Sequence, residues 1–405
     1  MSIVKRKKEC LCVYAIFVAI FKPMFIPTLF QQIIKLFLII IVFTFLISKT
    51  KIKELVNISL LFGIAVVVSS FFAKKMNYIS TTSFFDSIYY ALCIYCLHGV
   101  IAYFTKRNRS RECLVYFLDI ITIYCILTFI TLLFPLYIDT TGLTTYAFGN
   151  KFTSTYLLLL FLGVFYSLYN KPIKKKVEWR IIYFTFIVLS IIIARAIDCS
   201  TTIMAMMVFF VAYFLSDKIK NILMLPQVVF CTVAFTGSFP VLMAYIMNLK
   251  FVQYIVVNIL GESLNINYRN IIYKSYLFQL IGKSPIFGYG YANTVMADKT
   301  NYAFGNAQNG LMDVALKYGI IGAIAIVITI VYCFKKSNRT SQTQGLALFV
   351  YSILVAGIIE VTYSWFLLLG LFFVLHIDEK IESMTVTERV AVETKKTRKK
   401  IRIRI

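Results

Sequence analysis

The amino-acid sequence predicts an all-α, polytopic transmembrane protein with about twelve spanning helices. Of its 405 residues, 60% are hydrophobic and 16% are aromatic, and the mean hydropathy is +0.80. One soluble core of this length could not bury that much apolar side chain, so lipid must act as the solvent for part of it. The apolar residues also occur in separate runs, each close to the length that crosses a bilayer.

The apolar runs follow one another along almost the whole chain. A transmembrane helix needs roughly 17 to 25 predominantly apolar residues. Twelve runs come close to this length, at about 11–30, 33–48, 55–72, 84–104, 114–134, 153–169, 181–195, 200–215, 224–247, 311–334, 344–360 and 363–377. The run at 181–195 and the last two are short, so ten or eleven spans would also fit. We expect residues 1–377 to form one integral membrane domain.

The basic residues predict how the spans are oriented. The net charge is +24, and 30 of the 42 Lys and Arg residues lie in alternate connecting segments and in the C-terminal tail. By the positive-inside rule those segments and both termini face the cytoplasm. Lys74 and Lys75 are a local exception on the predicted outer side. Because the basic residues form short clusters between apolar runs, they indicate orientation signals and argue against nucleic-acid binding.

The tail at 378–405 is predicted to be a basic cytoplasmic arm. An electrostatic anchor to anionic lipid headgroups, at about 1 kcal/mol for each basic residue near the surface, is the favoured interpretation. A partner-binding site is the alternative.

No metal or cofactor site is indicated. The nine cysteines lie mostly in or beside apolar runs, where they are typical small core residues. The pair Cys93-x-x-Cys96 has no second pair at ligand spacing, and His98 and His376 lie away from any acidic cluster.

Two short outer loops carry polar residues. The first, at 135–151, ends in Asn150 and Lys151 immediately before a span. In the second, Arg195 ends a helix, where the helix dipole favours a cation, and Asp198 or Ser200 is placed to cap the next helix. If Arg195 does not bind a ligand, we expect it to pair with Asp198 or to extend to the lipid headgroups.

The third outer loop, residues 248–308 between the ninth and tenth runs, is long enough to indicate a functional segment. Within it, residues 269–282 have the apolar spacing of an interfacial amphipathic helix, which places Arg269 at the membrane surface. Gly288 and Gly290 then allow a tight turn, which would bring backbone amides close to a ligand of Arg269.

The order of these features resembles the O-antigen polymerase and O-antigen ligase superfamily of bacterial cell-surface polysaccharide assembly. The matching pieces are Phe148-Gly149-Asn150-Lys151, Ser200-Thr201-Thr202, Arg269, Ser284-Pro285-Ile286-Phe287-Gly288-Tyr289-Gly290, Asn309-Gly310-Leu311, Tyr318-Gly319-Ile320-Ile321-Gly322 and Glu360. They cover roughly residues 140–375, and their order, spacing and side of the membrane carry the resemblance.

One position departs from the family pattern. In that family the last motif commonly begins with a His ten residues before a Gly, and in ligases this His is thought to act as the base. This chain has Gln308 there, with Gly319 near the matching distance. Because an amide does not take a proton at neutral pH, the departure favours the polymerase branch over the ligase branch.

The resemblance implies a metal-independent glycosyl transfer at the outer leaflet of the bacterial cytoplasmic membrane. The growing glycan would move from undecaprenyl diphosphate onto the sugar terminus of the next lipid-linked repeat unit, giving an O-antigen, capsule or exopolysaccharide. The partners implied are lipid-linked oligosaccharides and the bilayer, with a chain-length regulator and a flippase as further candidates.

The candidate residues suit that chemistry. Arg195 and Arg269 could neutralise the leaving diphosphate by charge-assisted hydrogen bonds of about 1.5 to 3 kcal/mol each. Asp313 is the candidate base or acceptor-positioning group, unless the reaction needs no strong base. Inserting an acidic side chain such as that of Glu360 into a span costs about 2.5 to 3.5 kcal/mol of free energy. This cost suggests that Glu360 pairs with a basic residue or faces the substrate cavity. The candidate substrate-binding residues are Gln308, Asn309, Lys283, Lys299, Asn150, Lys151, Gly288, Gly290 and Glu360.

Two further functions are compatible with the topology. A transporter or flippase of lipid-linked oligosaccharide would also use about twelve spans, but such proteins usually show internal repeats, and none is evident here. A peptidoglycan glycan polymerase would share the lipid carrier, but no residue pattern in the chain supports it.

Overall fold

The computed structural model describes residues 3–24, 26–50, 57–134, 137–138, 144–246, 249–254, 272–300 and 305–377. Two features that the sequence predicts therefore lie outside the described residues. These are Arg269 and the basic tail at 378–405.

The described part of the chain is built almost entirely from helices, which confirms the all-α prediction. The helices are α1 (Ile3–Ile20), α2 (Thr28–Lys49), α3 (Ser59–Lys75), α4 (Thr81–Thr105), α5 (Ser110–Leu133), α6 (Lys151–Lys175), α7 (Val177–Ala196), α8 (Ser200–Phe214), α9 (Asp217–Leu223), α10 (Pro226–Ile246), α11 (Lys250–Tyr254), α12 (Phe278–Lys283), α13 (Val295–Lys299), α14 (Gly310–Lys336), α15 (Ser341–Ala356) and α16 (Trp365–His376). A π-helical turn, Ile272–Leu277, precedes α12, and Tyr137–Ile138 pairs antiparallel with Thr144–Thr145.

Seven helices of the described chain are long and apolar enough to cross a membrane, namely α2, α4, α5, α6, α7, α10 and α14. Three shorter apolar helices, α8, α15 and α16, accompany them. Each of the twelve predicted runs contains a helix, but the first run was predicted too long. Helix α1 ends at Ile20, because Pro23 and Pro27 follow and neither can donate a backbone hydrogen bond.

The short helix α15 lies inside the bundle and crosses α6 at close range. A Cβ at Gly345 would lie 2.7 Å from the backbone oxygen of Gly163, and a Cβ at Gly163 would lie 2.8 Å from the Cβ of Phe349. Small residues at such a crossing let two backbones approach, as is common between membrane helices. Most side chains of α15 and α16 are buried, so these helices are covered by protein rather than by lipid.

Helices α2, α5 and α7 form part of the bundle's outer surface. They expose large apolar side chains, for example Phe37, Ile126 and Ile192, each more than half accessible. An apolar surface of this extent is suited to hydrocarbon.

Opposite ends of the bundle are held by different contacts. One end, which we call the loop end, contains the connections around residues 21–27, 76–80, 146–150, 197–199, 284–294 and 357–364. There Met24 N donates to Ala147 O at 2.7 Å, and Gly310 N donates to Gly357 O at 2.8 Å. These bonds join segments that are distant in sequence.

The other end, which we call the basic end, contains the connections around residues 50, 106–109, 176, 215–225 and 337–340. Buried Glu9 accepts hydrogen bonds from Tyr103 at 2.7 Å and from Arg109 at 2.6 Å. Lys174 pairs with Asp217 at 2.7 Å. The loop end is the one that the sequence predicts to be outside the cell.

Candidate functional site

Helix α14 breaks at Gly319, within the motif Tyr318-Gly319-Ile320-Ile321-Gly322. Gly319 has φ 63° and ψ −164°, a conformation that is essentially restricted to glycine. The break frees backbone groups, and Ile320 N donates to Pro285 O at 2.8 Å. A Cβ at Gly319 would overlap the carbonyl of Ile286. The segment around Pro285 therefore docks against the helix break.

The docked segment makes further backbone hydrogen bonds with α14. Tyr289 N donates to Leu316 O at 3.0 Å, and Gly290 N donates to Lys317 O at 2.7 Å. Gly288 has φ 67°, and a Cβ there would lie 2.5 Å from the nitrogen of Gly319 and 2.7 Å from Leu316 O. Glycine is required here by the close approach of two backbones.

The sequence assigned these amides to a ligand of Arg269. In the structure, Gly288 N donates to Ser284 O at 3.0 Å, while the next two amides bond to α14. Gly288 and Gly290 therefore serve the docking of the loop, and the amides of residues 288–290 all bond within the protein. Residues 284–290 are called the glycine loop below.

The helix preceding the glycine loop is also held by the protein. Tyr273, Leu277 and Leu280 are buried against Met243 of α10. Phe278, an apolar residue of the interfacial helix predicted at 269–282, is 37% exposed. The π-helical turn at Ile272–Leu277 takes more residues per turn than an α-helix, so it shifts the buried face along the sequence.

The first two outer loops meet at the loop end. Lys151 Nζ donates to Asp198 O at 2.9 Å. Asn150 caps α6, since its Oδ1 accepts from Thr153 N at 3.1 Å. Arg195 is exposed in the last turn of α7 and has no ion-pair partner among the described residues.

The predicted cap of α8 is wrong. Its N-cap residue is Cys199, and neither Asp198 nor Ser200 caps the helix with its side chain. Asp198 adopts a left-handed conformation, with φ 55°, whereas a capping residue normally has extended backbone angles.

A buried polar group lies beneath this turn. Thr155 Oγ1 and Thr202 Oγ1 are 2.7 Å apart, and Cys199 Sγ is 3.1 Å from Thr202 Oγ1. Tyr156 is buried next to it, in the neighbourhood of Glu360. Glu360, which is 7% exposed, lies in the turn that also holds Gly357, so the motif residues of α6, α8 and this turn come together.

Asp313 is buried in the first turn of α14 and is ion-paired. Its Oδ2 lies 2.6 Å from Lys317 Nζ, and its Oδ1 accepts from Ala307 N at 3.4 Å. Both carboxylate oxygens therefore have partners within the protein. A role for Asp313 as base stays a prediction, and it would require Lys317 to move.

Asn309 is fully buried and ties three segments together. Its Oδ1 caps α14 by accepting from Met312 N at 3.0 Å. Its Nδ2 donates to Thr236 O at 2.9 Å and to Ile358 O at 3.1 Å. Since both amide hydrogens are used, the geometry gives Asn309 a structural role rather than a substrate contact.

The other long-loop candidates are more accessible. Gln308 has φ 51°, and its Nε2 donates to Asn306 Oδ1 at 2.9 Å. Lys283 and Lys299 end α12 and α13, and both are exposed. The structure thus brings the described candidate residues to one end of the bundle.

The structure adds a cavity that sequence reasoning missed. It has a volume of about 380 Å³ and lies at the loop end between α1, α2 and α4, with Tyr291 and Trp365 in its wall. Its charged residues are Lys22, Lys35 and Asp86. These residues lie within predicted apolar runs, and ionisable residues in such runs are a recognised signal of function.

The glycine loop leads directly into this cavity. Tyr291 follows Gly290, and its backbone N donates to Ser70 Oγ at 3.1 Å. Burial, and then the nearby Asp86 carboxylate, raises the pKa of Tyr291 to about 12. The phenol therefore stays protonated at neutral pH and can donate a hydrogen bond.

Comparison of the chain with protein-family models, curated proteins and solved structures returned no match. The resemblance to the polymerase and ligase superfamily therefore depends on the motifs and on where they lie.

Proposed function

We propose that this protein is an integral-membrane glycosyltransferase that polymerises undecaprenyl-diphosphate-linked oligosaccharide repeat units. The reaction would take place at the outer leaflet of the bacterial cytoplasmic membrane. The observation that carries the proposal is the meeting of separate sequence motifs at the loop end. Lys151 contacts the Arg195 turn through Asp198, and Asn309 joins the start of α14 to the turn that holds Glu360.

The proposed topology has twelve crossings. Besides the seven long apolar helices, α1, α3, α8, α15 and α16 each connect the two ends of the bundle. With the basic end in the cytoplasm, both termini are cytoplasmic and the glycine loop is outside, in agreement with the positive-inside count.

The proposed chemistry needs positive charge where the diphosphate leaves. A hydroxyl oxygen of the acceptor sugar forms a bond to the anomeric carbon of the donor glycan. The bond from that carbon to the diphosphate oxygen breaks, undecaprenyl diphosphate leaves with the electron pair, and the hydroxyl proton passes to a base or to water. The guanidinium of Arg195 is exposed and unpaired among the described residues, so it can bind a phosphate without first breaking an ion pair. We assign the second guanidinium to Arg269.

The test is the length of surface glycan made by arginine variants in a strain that lacks the chromosomal copy. Arg195→Ala and Arg269→Ala should each lower polymerisation by about 10- to 100-fold, because each removes charge-assisted bonds of about 1.5 to 3 kcal/mol. Gln308→Ala should be milder. Arg180→Ala is the matched control, because Arg180 lies at the basic end and donates to Lys174 O at 3.1 Å. Near-normal chain lengths in both loop-end variants, at equal protein levels in the membrane, would contradict the proposal.

The strain without the protein separates polymerase from flippase. A missing polymerase leaves single repeat units on the surface acceptor, whereas a missing flippase removes all outer-face material. The second result would favour transport of the lipid-linked oligosaccharide.

A further inference from the structure

We infer that the cavity between α1, α2 and α4 binds the diphosphate headgroup of a second lipid-linked oligosaccharide. This inference rests on the proposed function, because a polymerase joins two glycans that are both carried on lipid diphosphates. In the proposed function, Arg195 and Arg269 bind the diphosphate of one of these two lipids. The cavity provides a separate set of cations at the same end of the bundle.

The charges of the cavity suit an anion. Lys22 follows the end of α1, and Lys35 lies two turns into α2 with its side chain half-buried. Neither ammonium group has an ion-pair partner among the described residues. Lys35 Nζ lies 5.4 Å from the ring centroid of Tyr89. With Asp86 ionised, the lining carries a net charge of +1, which a diphosphate would complement.

The segment that carries Lys22 is held in place before any ligand binds. Gln31 Nε2 donates to Pro23 O at 2.9 Å and to Ile26 O at 2.5 Å. Tyr89 OH donates to Ala19 O at 3.2 Å, at the end of α1. These bonds fix the turn between α1 and α2, so less ordering is needed when a phosphate binds.

The opposite wall is aromatic. The ring centroid of Tyr90 lies 5.1 Å from that of Tyr291 and 4.4 Å from that of Trp365. A ligand pocket typically combines such apolar and aromatic surface with a few polar groups, in a volume of roughly 300 to 1,000 Å³. The cavity has room for a diphosphate beside a sugar that contacts the rings.

The lipid side of the cavity favours a lipid-linked ligand over a free phosphate. Lys35 lies on α2, the helix whose large apolar side chains, such as Ile34 and Phe37, are exposed on the bundle surface. A prenyl chain attached to a diphosphate at Lys35 could therefore lie in lipid while the headgroup stays in the cavity.

The experiment is a count of bound farnesyl diphosphate, a short prenyl diphosphate, on the full-length protein in uncharged detergent. Native mass spectrometry should give two per chain for the wild type. The double variant Lys22→Gln/Lys35→Gln should bind one farnesyl diphosphate per chain, because the affinity of its cavity for the diphosphate should fall by about 10- to 100-fold. Lys75→Gln is the matched control, because Lys75 is an exposed lysine at the same end outside the cavity.

Asp86→Asn gives a test of opposite sign. Removing the carboxylate removes repulsion of the diphosphate, so binding in the cavity should become tighter by several-fold. A variant that only damaged the fold would not gain affinity. Unchanged stoichiometry in Lys22→Gln/Lys35→Gln, or weaker binding in Asp86→Asn, would overturn the inference.

Competitors identify the source of the phosphate. If inorganic pyrophosphate displaces farnesyl diphosphate at equal concentration, the cavity is a free-phosphate site and the inference of a lipid-diphosphate site is overturned. If phosphatidylglycerol displaces it, the cavity is a general headgroup site and the inference is also overturned.

The failure of this inference can be distinguished from the failure of the proposed function. If Lys22→Gln/Lys35→Gln makes full-length glycan while the deletion strain makes single repeat units, the inference fails and the polymerase stands. If the deletion strain makes full-length glycan, the polymerase fails whatever the cavity binds.

Discussion

Gly319→Ala should undock the glycine loop from α14. The change places a methyl group into the carbonyl of Ile286, and it forces a residue with a Cβ into φ 63°, ψ −164°. Backbone strain in that region costs on the order of 1 to 3 kcal/mol. An overpacked contact costs about 1 to 3 kcal/mol more. Because the overlapping atoms belong to the backbone, no side-chain rotation can relieve the clash.

The expected loss of stability is therefore about 2 to 6 kcal/mol. With an unfolding entropy of roughly 0.85 kcal/mol/K for a chain of 405 residues, this loss should lower the Tm by about 2 to 7 °C. Thermal unfolding in detergent, followed by tryptophan fluorescence, measures this directly. A Trp179→Phe background makes the readout local, because Trp365 is then the one remaining tryptophan and its ring contacts the Tyr90 ring, which in turn contacts Tyr291.

Gly282→Ala is the matched control for this prediction. Gly282 lies in the last turn of α12, and a Cβ there would meet nothing within 4 Å. Alanine in a helix is favoured over glycine by up to about 1 kcal/mol, so this variant should be as stable as the wild type or slightly more stable. Equal melting of Gly319→Ala and Gly282→Ala would refute the docking role of the helix break.

Three further changes test other contacts by thermal or denaturant unfolding. Asn309→Ala should lower stability by about 3 kcal/mol, because it removes a cap and takes the side-chain donor away from one buried and one partly buried carbonyl; full stability with a lost activity would instead indicate a substrate contact. Glu9→Gln should cost about 1 to 3 kcal/mol, because it neutralises one of the two carboxylates that pair with Arg109, the other being Glu112 at 2.5 Å; an unchanged stability would show that the Glu9 pair contributes nothing. Burial lowers the pKa of Lys220 to about 8, so between pH 8 and 10 the unfolded chain binds a proton that the folded chain does not. Wild-type stability should therefore rise by roughly 1 to 2 kcal/mol over that range relative to Lys220→Met, and parallel pH profiles would contradict this.

The sequence predicted the helices well because hydropathy is a local signal. Every apolar run contains a helix, and the main error in the runs came from extending α1 through Pro23 and Pro27. The cap of α8 was mispredicted for a related reason. Composition favours Asp198 and Ser200 as caps, but the left-handed backbone of Asp198 is set by the turn as a whole.

The site was harder to predict because it depends on contacts between distant segments. Gly288 and Gly290 were predicted to bind substrate, and the structure shows them docked at the break around Gly319; no local pattern shows that two glycine motifs bond to each other. Lys22 and Asp86 are separated by more than sixty residues and face one cavity only because the helices pack as they do.

Lys317 connects the two parts of the loop end that the proposals treat separately. Its ammonium group pairs with Asp313, and its carbonyl accepts the hydrogen bond from Gly290 that holds the glycine loop. Beyond Gly290, the loop continues into Tyr291 at the cavity wall. A rotamer change of the Lys317 side chain is enough to free Asp313, because the carbonyl that holds Gly290 belongs to the backbone and need not move. Lys317 therefore serves both parts of the loop end, its side chain neutralising the candidate base and its backbone holding the glycine loop that leads to Tyr291.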